Sequence, residues 1–71
     1  MISHKYEWQN EYHAALIELN QNRLPTRIEK AEATIVARRI ALTSPVGHED
    51  EIAALENAFR NLEILRRERA A

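Results

Sequence analysis

IAALENAFRNLEILRRER, residues 52–69, decides the fold of this chain. Ile52, Leu55, Phe59, Leu62 and Leu65, with Ala58 beside them, recur at steps of three and four, which places them on one side of a helix. On the opposite side Glu56 stands four residues before Arg60 and Glu63 four before Arg67, the order that best supports a solvated helix surface. A helix with one dry face requires a partner. Upstream, Glu49, Asp50 and Glu51 put carboxylates at the positive end of its dipole, and Arg66, Arg67 and Arg69 put cations at the negative end. The periodicity and these charges predict a helix over 49–69.

The partner helix precedes it. Thr43, Ser44, Pro45, Val46, Gly47 and His48 form a short break, because Pro45 disfavours helical geometry at Ser44 and the only glycine follows two residues on. Before the break, Leu24, Ile28, Ala31, Ile35 and Leu42 mark one stripe, and Val36 and Ile40 widen it to a second side. A broad stripe can serve two neighbours. The helix is expected over 24–43, starting between Asn22 and Thr26, since Pro25 suits a first turn and Thr26 with Glu29 resembles a capping box. Arg38 falls where the stripe asks for an apolar residue, with Arg39 next to it. Pairing of such an arginine with a glutamate of another helix is the expectation, in preference to an anion site. Two helices of about 20 residues, each roughly 30 Å long, joined by so short a connection, must run antiparallel.

A shorter first helix is expected over 4–20, with Ser3 as a possible cap. Trp8, Tyr12, Ala15, Leu16 and Leu19 form its stripe, and the two rings are its anchors. Asn20, Gln21, Asn22 and Arg23 end it. The fold class is therefore all-α: a single domain, 1–71, with a short N-terminal helix packed on a long antiparallel αα-hairpin. Trp8, Tyr12, Leu16, Ile28, Ile35, Leu55, Phe59, Leu62 and Leu65 are the candidate core or interface residues.

With 71 residues and no cysteine, the chain lies near the lower size at which one core supports itself, and it has neither a disulfide nor a sulfur-based zinc site to help. Two long amphipathic helices also expose more apolar stripe than one short helix covers. Leu55 and Leu62, alternating with Ala58 and Leu65, follow a seven-residue repeat over about two heptads. A helical bundle completed by dimerisation follows, with a self-contained three-helix bundle as the alternative.

Chemistry finds little support. The single glycine cannot build a phosphate-cradling loop, and no nucleophile motif is present. Glu29 and Glu32 lie one turn apart, but no histidine is placed by sequence to complete a site with them. His48, Glu49 and Asp50 could hold a divalent ion weakly, yet the acidic residues are explained by the helix start. The expectation is a non-enzyme with no cofactor, no metal and no catalytic residue. A net charge of −1 gives no overall attraction to nucleic acid or an anionic membrane. Glu49, Asp50 and Glu51 would also open any recognition helix with carboxylates facing phosphates. No apolar run approaches bilayer length and MISHKYEW lacks a leader pattern, which makes a cytoplasmic bacterial protein the expectation.

Trp8, Tyr12, the run Leu24-Pro25-x-Arg27-Ile28-x-x-Ala31-Glu32 and the run Leu55-Glu56-x-Ala58-x-x-x-Leu62-x-x-Leu65 together resemble a group of short bacterial helical proteins with no assigned activity. The resemblance implies a small helical protein and transfers no catalytic residue. The functional expectation is a non-catalytic oligomerisation or protein–protein interaction module, a homodimer or the partner of another protein. The alternative is a regulatory accessory protein that contacts nucleic acid through arginines of the second and third helices.

Overall fold

The computed structural model describes residues 5–69, which form three helices and no strand. They are α1 (Gln9–Ile17), α2 (Leu24–Ala41) and α3 (Glu49–Arg69). The expected cap Ser3, and His4 where the first helix was expected to begin, lie outside the described residues. Arg38 at the end of α2 meets Glu51 at the start of α3, and Glu32 meets Arg66 near the far end, so the hairpin is antiparallel. α1 lies against it in the opposite sense to α2: Trp8 sits by Glu51, Glu11 faces Lys30 at 3.8 Å, and Glu18 faces Arg27 at 3.2 Å.

α1 is shorter than its pattern at both ends. Trp8 occupies the N-cap position, and the preceding turn is closed by the Gln9 N–H donating to the Tyr6 carbonyl at 3.1 Å. At the other end Glu18 turns to an extended backbone, with φ −70° and ψ 119°. Its carboxylate accepts from the Asn20 N–H at 3.2 Å, and the Asn20 side-chain oxygen accepts from the Asn22 N–H at 2.8 Å. Side chains that take up backbone donors locally compete with the helix, and here they stop it two residues before Leu19.

α2 starts inside the expected window, with Pro25 in its first turn, where a missing N–H costs nothing. Arg23 holds the N-cap position without a side-chain cap bond, so the Thr26 and Glu29 pattern is not used as a cap. The helix ends when the Leu42 N–H bonds to the Arg38 carbonyl at 3.1 Å. The connection then turns at Gly47, whose φ of +85° suits a residue without a Cβ. Its N–H donates to the Glu49 carboxylate at 3.1 Å, and the His48 N–H to the Pro45 carbonyl at 3.0 Å.

The core is one cluster. Leu24, Ile28, Ala31, Ile35 and Leu42 come from α2 and its cap, Leu55, Ala58 and Leu62 from α3, and Trp8 and Ala15 from the first segment. Alanines at 15, 31 and 58 are buried because small side chains let three helices approach where their stripes meet. Tyr6, Tyr12, Ile52, Phe59 and Leu65 pack at the edge, partly buried. The stripe predicted for α1 needs correction at its end: Leu16 is 41% exposed and Leu19 84% exposed. Leu16 lies within α1 but off the side that buries Ala15, whereas Leu19 lies beyond the end of the helix. No helix among the described residues is long and apolar enough to cross a membrane.

Candidate functional site

Two places on this fold carry more than plain packing. The first is the junction where all three segments meet. Arg38 lies on the dry stripe of α2 and Glu51 on that of α3, four residues before Leu55. The Arg38 Nε donates to Glu51 Oε2 at 2.6 Å and Nη2 to Oε1 at 3.0 Å, a bidentate pair. Trp8 Nε1 donates to the same Oε2 at 3.2 Å. Glu51 is only 6% exposed, and the Arg38 guanidinium beside it, helped by the Trp8 N–H, holds its carboxyl below the usual carboxylate range against the opposing effect of burial. Glu51 in turn holds the Arg38 guanidinium above its ordinary value.

A cavity of 540 Å³ opens beside this junction, lined in part by Lys5, Tyr6, Asn10 and Thr34. The Tyr6 and Trp8 rings stack at 5.9 Å with an interplanar angle of 6°, and Lys5 Nζ stands 5.4 Å from the Tyr6 ring centre. Glu51 is the only buried carboxylate here, and both its oxygens are taken up by Arg38 and Trp8. Lowered basicity and occupied oxygens make it a poor general base, and the cluster acts as a polar rivet between segments. Among the described residues no group of three His, Asp or Glu side chains is placed to hold a metal ion.

The second place is the face of the hairpin that α1 leaves uncovered. A groove of 430 Å³ runs between α2 and α3, with Ile35, Leu55 and Phe59 at its base. Val36 and Ile40 line the α2 side and are 45% and 72% exposed. Its rims carry Arg39 on α2 and Glu56, Arg60 and Glu63 on α3. A second hollow lined by Glu32, Phe59, Glu63, Arg66 and Arg67 shares Phe59 and Glu63 with it, so the trough continues toward the end of α3. The groove thus combines apolar side chains from both helices with charges of both signs.

Of the candidate residues, Trp8, Ile28, Ile35, Leu55 and Leu62 are buried in the core. Tyr12, Phe59 and Leu65 are half-buried at its margin, and the Asn61 side-chain amide donates to the Tyr12 hydroxyl at 2.9 Å. Leu16 lies outside it. Arg38 pairs with a glutamate of another helix, as its position in the stripe implies, whereas Arg39 lines the groove. Glu51 was legible only as a helix-start carboxylate. The missed signal is its register, since 51, 55, 58 and 62 form one continuous stripe. Comparisons with protein-family models, curated proteins and solved structures return no match for this chain.

Proposed function

We propose that this chain is a non-catalytic protein-interaction module that works through the groove between α2 and α3. The observation that carries this reading is the exposure of Val36 and Ile40 directly above the buried Ile35 and Leu55, which leaves a core-like stripe half covered. A helix that is apolar over two sides has two neighbours to satisfy, and α1 supplies one of them. The nucleic-acid alternative has fewer cations to draw on, because Arg38 is held by Glu51, Arg66 by Glu32 and Arg27 by Glu18.

The test is site-specific photo-crosslinking in cells that make the protein. A crosslinking side chain at Val36 should yield a discrete protein adduct, while one at Asn22, on the far loop, should not. Absence of any adduct at Val36, with the variant folded, removes this function.

A further inference from the structure

On the outer lip of the groove Glu56, Arg60, Glu63 and Arg67 follow one another at steps of four, three and four. At 100° per residue all four fall within about 60° of arc, so they form a single row along α3. Helical order alone would pair them within the helix. Yet among the described residues Glu32, Arg38, Glu51 and Arg66 are in ion pairs, and none of these four is.

The row reads minus, plus, minus, plus, and its midpoint lies between Asn61 and Leu62. Reversed, it reads plus, minus, plus, minus. Two antiparallel copies centred on that midpoint therefore set Glu56 against Arg67 and Arg60 against Glu63, each twice. A parallel pair in register sets like charges side by side. A pattern that is complementary to its own reversal is what a twofold interface needs, because the same patch must serve both subunits.

We infer that the occupant of this groove is a second copy of the chain, docked through antiparallel α3 helices about a twofold axis that passes between them, level with the midpoint from Asn61 to Leu62. This rests on the interaction reading above and names its partner. The same axis brings the two Phe59 rings to the groove side of the contact, roughly 8 Å apart along the helix direction at 1.5 Å of rise per residue. The exposed apolar surface of Val36 and Ile40 adjoins them. The product is a bundle in which both sides of each hairpin are covered.

Sedimentation equilibrium of the full chain over a dilution series tests this, with charge reversals at the row. The wild type should show twice the 8.3 kDa chain mass at high concentration and dissociate on dilution. Arg60→Glu leaves carboxylates facing each other at two symmetric places and should raise the dimer dissociation constant roughly tenfold or more. Adding Glu63→Arg to it swaps the pair and should return the constant to within about threefold of wild type. Circular dichroism of the diluted variants should match the wild type, since neither side chain has an ion-pair partner among the described residues.

A monomer at every concentration overturns the inference, as does a dimer indifferent to Arg60→Glu. The Val36 crosslink separates the two readings. A monomer whose Val36 adduct is a different protein loses the second copy but keeps the interaction function, whereas a monomer with no adduct loses both.

Discussion

Arg38 grips both carboxylate oxygens of Glu51, at 2.6 and 3.0 Å, across the turn that joins the two long helices. Each residue occupies a stripe position that its helix would otherwise give to an apolar side chain. The charge on one stripe is therefore cancelled by the charge on the other, and Trp8 closes the group from the first segment. Neither can be removed alone without leaving the other in the core margin unpaired. Arg38→Met should lower the melting temperature, and Arg38→Met with Glu51→Leu should recover part of the loss. Thermal melts of the two variants and the wild type check this, and a double variant less stable than the single one contradicts the arrangement.

The pH dependence follows from the same pair. The Glu51 carboxyl titrates lower in the folded chain than in the unfolded one, chiefly through the Arg38 hydrogen bonds. Its contribution is complete above the ordinary carboxylate range and is lost as pH falls through the lowered folded value, because the unfolded chain then takes up the proton first. Glu18 adds an effect of the same sign, held low by the Asn20 N–H and by Arg27. Stability should fall on acidification, and the acid limb of a melting-temperature profile should be shallower in Glu51→Gln.

Trp8 is the only tryptophan and is buried, so its fluorescence reports the junction directly. Native emission should be blue-shifted and protected from iodide, and should move red on unfolding. Trp8→Phe keeps most of the apolar volume but removes the donor to Glu51, and should cost about 1–2 kcal/mol in urea denaturation.

Leu62 is completely buried at the centre of the α3 stripe. Leu62→Ala should cost about 2–5 kcal/mol, and Leu62→Asp should abolish folding by placing a carboxylate there without a partner. An Asp variant with wild-type mass and melting would refute the packing of α3 described above.

Gly47 turns the hairpin with φ +85°, and beyond its own atoms and its two chain neighbours no heavy atom lies within 4 Å of the place a Cβ would take. Gly47→Ala should therefore destabilise through backbone strain alone, by about 1 kcal/mol, with no change in core packing. Matching near-ultraviolet dichroism of the folded variant checks the second half of that statement.

Periodicity sufficed for the helices, their antiparallel order and most of the core, because apolar steps of three and four have one geometric solution and a turn of a few residues leaves one direction of return. Ile28, Ile35, Leu55 and Leu62 are buried for that reason alone. Local pattern also exposed the anomaly at Arg38. It could not supply the length of α1, where Glu18 and Asn20 capture backbone donors, nor the exposure of Leu19 that follows. Those depend on which of two local hydrogen-bonding schemes prevails once Arg27 is in place to hold Glu18.

What the sequence by itself determined is which face of each helix is dry, since that depends only on neighbours three and four residues away. What only the tertiary structure decided is which dry surface stays uncovered and which charges are spoken for. Glu51 and Arg38 are bound to each other, while Glu56, Arg60, Glu63 and Arg67 are left along an open groove. The physical reason is that burial and ion pairing depend on residues brought together across the chain, and one short helix can shield only one side of a hairpin.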